Sequence, residues 1–132
     1  KPLFVSLLFI FNFSFNNVPQ ADIIDDLAVY FRTGNSKEIA KKFDASVELI
    51  IIDQEDVYSK AQSEQILKDF FVKNPPAKIS IIHRLNESQN YRLGIFSLTT
   101  KNGKFRVTVT LNLKKAMNAF LITELRIEQD KQ

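Results

Sequence analysis

Residues 56–76 read DVYSKAQSEQILKDFFVKNPP and predict one helix that separates two groups of strands. Ser59 and Gln62 have the spacing of a capping box, in which each side chain accepts a hydrogen bond from the other residue's backbone N–H. The apolar residues that follow recur at helical spacing: Ile66, Leu67, Phe70 and Phe71. The helix is expected to end at about Asn74, because the Pro-Pro pair after it cannot continue the hydrogen-bond ladder.

The residues before this helix predict two further helices. A first helix spans about 22–33, with Asp22 as its N-cap, apolar residues along one stripe and a glycine directly after its end. A short second helix is capped by Asn35 or Ser36 and runs through Phe43. The domain therefore opens with helices.

Strands follow on both sides of the central helix. From Ala45 the apolar pattern takes a period of two, which predicts a strand that ends at Asp53, then a turn over 53–56 and a short strand at 57–58. Four strands are expected after the central helix: 79–85, 91–100, 105–113 and 120–128. The order ααββαββββ, with a long antiparallel meander at its end, is typical of an α+β fold. Residues 22–132 are expected to form one domain.

Asn102-Gly103 is the strongest hairpin signal in the chain. A two-residue turn at this point predicts that Leu98 lies opposite Val107 and that Phe96 lies opposite Val109. Because paired residues share a face, one side of the sheet is expected to be apolar and to pack on the central helix. This inner set comprises Phe96, Leu98, Phe105, Val107, Val109 and Leu111.

The opposite side of the sheet is expected to be apolar at one end. Its residues there are Tyr91, Leu93 and Ile95, with Phe120 and Ile122 from the last strand, while Leu121, Leu125 and Ile127 are assigned inward. Both long helices are already needed on the inner side, so a partner is the expected cover for this patch. Two-fold dimers are the commonest oligomers. We therefore predict a homodimer in which Leu93 and Ile95 are central.

The N-terminal stretch has the pattern of a secretory signal peptide. Residues 1–15 read KPLFVSLLFIFNFSF, with one basic residue and an apolar run that is too short for a membrane-spanning helix of about 20 residues. A polar zone follows at 16–21, and cleavage is expected after Ala21. We therefore expect residues 22–132 to be exported to the periplasm or the extracellular space, with no stable membrane insertion after cleavage.

Composition limits the chemistry of any site. The chain has no cysteine and one histidine, which excludes disulfides, thiolate centres and multi-histidine metal sites. A net charge of +3 is too small for the basic stripe of a nucleic-acid-binding protein. The chain also lacks a phosphate-binding glycine motif and a nucleophile elbow. No metal, cofactor or nucleic-acid partner is expected, and the acidic residues at 53–56 are interpreted as part of a turn.

Element order and local motifs together resemble a known family. The order resembles the nuclear-transport-factor-2-like (cystatin-like) fold, in which a curved sheet wraps around helices as a cone. The stretches 56–71, NPP at 74–76, SIIH at 80–83 and LRIE at 125–128 resemble a family of small secreted bacterial proteins, domain of unknown function 4783. The resemblance covers nearly all of 22–132. It implies a cone-shaped fold and an exported protein, and it implies no activity.

A cone of this kind can hold a ligand, and the sequence offers a lining for it. His83 shares strand parity with Ile79 and Ile81, so it is expected to point inward beside Tyr58. As a catalytic pair, His83 would be the base and Tyr58 the donor. The alternative is a core histidine bonded to a neighbour, with no catalytic residue in the chain. The expected lining is Tyr58, Phe71, His83, Phe96 and Leu98.

These observations favour an exported binding domain rather than an enzyme. It would hold a small apolar ligand in the cone or a protein partner on the sheet. The alternative is a small-molecule isomerase, dehydratase or hydrolase that uses the cone pocket, so the question of catalysis stays open at this point.

The apolar run at 3–15 yields a test of export. We expect mass spectrometry of the protein from its host to show a mature form that begins near Asp22, since the cleavage pattern precedes that residue. Recovery of the uncleaved chain from the cytoplasm would contradict this prediction.

Overall fold

Three helices lie against one face of a curved, unclosed sheet in the computed structural model, which describes residues 22–131. The helices are α1 (Ile23–Arg32), α2 (Ser36–Ala40) and α3 (Lys60–Lys73). The strands are β1 (Phe43–Ile51), β2 (Gln54–Ser59), β3 (Pro76–Leu85), β4 (Tyr91–Thr100), β5 (Gly103–Lys114) and β6 (Ala119–Gln129). This order confirms the predicted α+β arrangement. The expected signal peptide and its cleavage site lie outside the described residues.

The helix ends follow the predicted capping chemistry. The carboxylate of Asp22 accepts a bond from the N–H of Ile24, and Asn35 caps α2. In α3 both bonds of the Ser59–Gln62 capping box are present. Helix α2 ends three residues before the predicted end, because Phe43 already pairs with β6.

The sheet has the strand order β2-β1-β6-β5-β4-β3. All neighbours are antiparallel except β1 and β6, which pair in parallel, an arrangement that the sequence did not predict. The predicted turn over 53–56 is wrong, because β2 begins at Gln54. Ile52, with a φ of 58°, makes the tight turn instead, an unusual conformation for a β-branched residue.

The β4–β5 hairpin confirms the predicted inner set and corrects its pairing. Leu98 pairs with Phe105 and Phe96 with Val107, so the register differs from the expected one by two residues. The turn residues are Lys101 and Asn102. The N–H of Lys101 donates to the carbonyl of Pro75, just after α3, at 3.1 Å, and the Asn102 side chain donates to the carbonyl of Lys73 at the end of α3. A shift of two residues keeps every side chain on its predicted face.

A bulge in β6 reverses three of the predicted orientations. Thr110 pairs with Glu124 but Leu111 pairs with Ile122, which leaves Thr123 as the extra residue. Residues before the bulge therefore face the side opposite to the predicted one. Ile122 is fully buried in the core and Phe120 packs beside it under the guanidinium of Arg92, whereas Leu121 lies on the other face. Phe120 and Ile122 were predicted to face outward in the interface, and Leu121 was predicted to face inward. All three predictions are wrong.

We call the side of the sheet that faces the helices the inner face and the opposite side the outer face. All three helices contribute buried residues to the core on the inner face. Its centre is a chain of phenylalanine rings with centroids 5.1–5.9 Å apart: Phe96, Phe31, Phe71, Phe70 and Phe105. Helix α1 approaches the sheet at Gly94, where an added Cβ would lie 2.9 Å from Cδ1 of Ile24. Arg84 of β3 also binds Asp25 of α1 at 2.8 Å.

The position of Phe70 makes a prediction about stability. Its ring packs against Phe71 and against Phe105 of β5, and the residue is 5% exposed. Phe70→Ala should lower the free energy of unfolding by about 3–5 kcal/mol in urea melts, since it leaves a cavity under α3. The control is Val72→Ala on the exposed side of the same helix, with an expected change below about 0.5 kcal/mol. Equal effects of the two substitutions would contradict the docking of α3.

Candidate functional site

Three of the five predicted lining residues are core residues. Phe96 and Leu98 are fully buried, and Phe71 is 6% exposed. The space between them is occupied by the phenylalanine rings, which pack at distances typical of a protein interior. Tyr58, on the edge strand β2, is half-buried and packs against the rim of this core. The cone that the sequence predicts is therefore filled at its centre by side chains.

His83 does not belong to this lining, and the expectation that it points inward is wrong. Ile81 pairs with Phe96 but His83 pairs with Ile95, so Ile82 is an extra residue in β3. This bulge moves the residues after it to the other side of the sheet. His83 is exposed on the outer face, while Tyr58 packs against the core from the other edge of the sheet. The proposed base and donor are not brought together.

A cavity of about 430 Å³ lies between the β1–β2 turn and the last turns of α3. Its lining is Ile51, Ile52, Asp53, Gln54, Ile66, Asp69, Phe70, Lys73 and Asn74. Its lining combines apolar side chains with Asp53, Asp69 and Lys73, and the cavity is open to solvent. Sequence analysis missed this cavity, because its two walls are distant in the chain and carry no shared motif. Within residues 22–131, no three histidine or acidic side chains are grouped so that they could hold a metal ion.

The outer face carries an apolar cluster on β3 and β4. We call Ile82, Leu85, Tyr91, Leu93 and Ile95 the outer apolar cluster. Ile82, Tyr91 and Leu85 are 53%, 41% and 36% exposed, and the other two are half-buried. Three members were predicted from the sequence. The two β3 residues were missed, since the bulge that places them beside the cluster has no clear sequence signal.

The other half of the outer face is acidic. Strands β2, β1 and β6 bring four carboxylates to it: Glu55, Glu48, Glu124 and Glu128. Arg126 lies among them, 3.0 Å from Glu128 and 3.6 Å from Glu124. A side-chain hydrogen bond with Glu55 and the negative charge of Glu124 raise the pKa of Glu48 above its ordinary value. Arg126 thus binds two of the four carboxylates, Arg106 of β5 lies opposite Glu128, and like charges are crowded around Glu48.

A curved, unclosed sheet with helices on its inner face is the arrangement of nuclear-transport-factor-2-like and cystatin-like folds. A Nostoc punctiforme protein described as a domain of unknown function with a cystatin-like fold has a similar structure. Its TM-score is 0.62 at 8% identity, over 80% of this chain and 71% of that one. The element order and this likeness define the fold class.

The chain belongs to the family Domain of unknown function (DUF4783), whose model matches residues 24–128. Two solved structures of that family are similar. The Bacteroides uniformis protein is 24% identical, with a TM-score of 0.78, over 84% of this chain and 100% of that one. The Bacteroides ovatus protein is 25% identical, with a TM-score of 0.74, over 80% and 94%. Among curated proteins, none matches the chain. The resemblance to this family and its fold is confirmed, while the export that it implies stays a prediction.

The different positions of His83 and Leu98 can be tested by truncation. Leu98→Ala should cost about 2–5 kcal/mol of unfolding free energy, because the residue is fully buried. His83→Ala should change that free energy by less than about 0.5 kcal/mol, because the side chain is exposed. Urea melts of both variants at one low protein concentration provide the measurement. A large loss for His83→Ala would place this side chain in the interior after all.

Proposed function

We propose that this domain is a protein-binding module that associates with a second copy of itself through the outer face of the sheet. The observation that carries the proposal is the outer apolar cluster. Exposed apolar side chains that lie together on one face of a sheet mark interaction surfaces. In the described structure all three helices pack on the inner face, so none of them covers this cluster.

The filled interior supports a surface function over a ligand chamber. A small apolar ligand was expected among Phe71, Phe96 and Leu98, and side chains take up that space. The open cavity beside α3 has a volume within the range of ligand sites, but its floor is shared with the core residue Phe70. It supports the small-ligand alternative less strongly than the outer apolar cluster supports a protein partner.

The enzyme alternative is supported less strongly than either the protein-binding function or the small-ligand function. An isomerase or dehydratase needs a titratable group held in a pocket that excludes water. His83 was the candidate for that role, and it is exposed on the face that lacks helices. We also propose that the protein acts after export, on the basis of the apolar N-terminal stretch and its polar cleavage zone.

Light scattering after size exclusion tests the association. The domain from Asp22 onward contains all the described helices and strands, and it should be dimeric at high micromolar concentration. Leu93→Glu should make it monomeric, because a carboxylate would be buried at the centre of the interface without a partner. The matched control is Val72→Glu on α3, which is 71% exposed and lies away from the outer face, and this variant should remain dimeric.

Two results would contradict the proposal. One is a monomeric wild-type domain at high micromolar concentration. The other is a Leu93→Glu variant that is still dimeric, since the outer apolar cluster would then lie outside the interface.

A further inference from the structure

The cavity beside α3 has two walls that come from different parts of the fold. One wall is the β1–β2 turn, with Ile51, Ile52, Asp53 and Gln54, and the other is the second half of α3 together with Asn74. The volume of about 430 Å³ lies within the range of small-molecule sites. None of the lining residues belongs to the outer apolar cluster, so an occupant of this cavity is independent of the proposed self-association.

The apolar part of the lining can take up a hydrocarbon group. Ile51 and Ile66 are half-buried and pack against the core, and Phe70 is itself a core residue. Ile52 is 41% exposed at the same cavity. An apolar group bound here would remove these side chains from water, which is favourable. The lining therefore suits the apolar body of a small molecule.

Ile52 lies in this wall with a backbone conformation that its side chain disfavours. Its φ of 58° is in the left-handed region, which β-branched residues rarely adopt. Its N–H donates to the carbonyl of Ile127 at 2.8 Å, and this bond ties the turn to β6. Such conformations persist only where the surrounding structure enforces them, and they concentrate at binding sites. The turn thus holds an exposed apolar side chain at the cavity at a cost in free energy.

The charged part of the lining has an excess of negative charge. Asp53 and Asp69 contribute two carboxylates, and Lys73 contributes one ammonium group. Within residues 22–131 none of the three forms an ion pair, while Asp69 accepts a hydrogen bond from Gln65 at 3.1 Å. Helix α3 also ends at Lys73, and the C-terminal end of a helix carries partial negative charge. The cavity therefore favours a cation over an anion.

We propose that this cavity binds a small organic cation, in which a primary ammonium group is carried on an apolar body. Asp53 and Asp69 stand on opposite walls, and each carboxylate can accept a charge-assisted hydrogen bond from the ammonium group. The apolar body lies against Ile52 and Phe70. Lys73 repels the ammonium group, so the two carboxylates together outweigh it. Ligand binding at this site is a second function of the domain beside self-association.

An NMR titration with phenethylammonium tests the site, because this probe combines a primary ammonium group with an apolar ring. The domain from Asp22 onward should bind it with a Kd of about 1 mM at low salt, as expected for a ligand of this size. The amide shift changes should be concentrated in residues 51–54 and 66–74. Phenethyl alcohol, which lacks the charge, should bind at least about threefold more weakly.

Three results of this titration would overturn the proposal. One is the absence of saturable binding, and another is a set of shift changes that lies outside the two walls. The third is equal binding of the alcohol and the ammonium probe, since the carboxylates would then contribute nothing.

Single charge changes in the lining give the test its sign. Asp53→Asn and Asp69→Asn should each raise the Kd of the probe about twofold to fivefold, because each removes an attraction. Lys73→Gln should lower the Kd, since it removes a repulsion. Glu87→Gln in the exposed β3–β4 loop is the control and should leave the Kd unchanged within error. A higher Kd for Lys73→Gln as well would overturn the roles assigned to the charges.

A substitution of Ile52 separates binding from folding. Glycine adopts a positive φ without steric cost, so Ile52→Gly should keep the urea midpoint of unfolding close to that of the wild type. It should raise the Kd of phenethylammonium about threefold, because one wall loses an apolar contact. A folded variant that binds the probe as tightly as the wild type would contradict the position assigned to the apolar body.

Discussion

The chain of phenylalanine rings between the helices and the sheet is the contact on which the rest of the structure depends. Phe31 of α1 touches both Phe71 of α3 and Phe96 of β4, so one cluster holds two helices and the sheet together. Its rings meet mostly edge to face and leave the interior closed. The same packing removes the chamber that a cone could offer to a ligand. It also commits the apolar sides of the helices to the inner face, which leaves the outer face without cover from the described elements.

Most of the fold is predictable from the sequence because its signals are local. The capping box at Ser59 and the period-two pattern of β4 and β5 depend on residues close in the chain, and both are confirmed. Face assignments tolerate errors of two residues, since side chains alternate with a period of two. The hairpin register was wrong by that amount, yet its inner set is right. The turn as it stands is bonded to Lys73 and Pro75, at and just after the end of α3, and no local pattern of the hairpin contains those contacts.

The candidate site was less predictable, because single-residue bulges decide it. One extra residue at Ile82 turns His83 outward, and one at Thr123 turns Ile122 inward. A bulge breaks the alternation, so that an assignment correct on one side of it is reversed on the other, and it has almost no signature in a single sequence. The parallel pairing of β1 with β6 is equally non-local, and it is this pairing that extends the acidic half across three strands. Sequence reasoning thus identified the outer patch while assigning two of its members wrongly.

Charge as well as apolar side chains distinguishes the two halves of the outer face. A face that is only solvated needs no separation of charge, and interspersed signs would lower its energy in a single copy. Here Glu48, Glu55 and Glu124 stand together with one guanidinium, so the isolated chain bears like-charge repulsion. Basic residues of β5 already meet carboxylates of the same chain: Arg106 lies directly opposite Glu128, and Lys114 binds Asp44 of β1 at 2.7 Å, so the uncompensated repulsion is confined to the surroundings of Glu48.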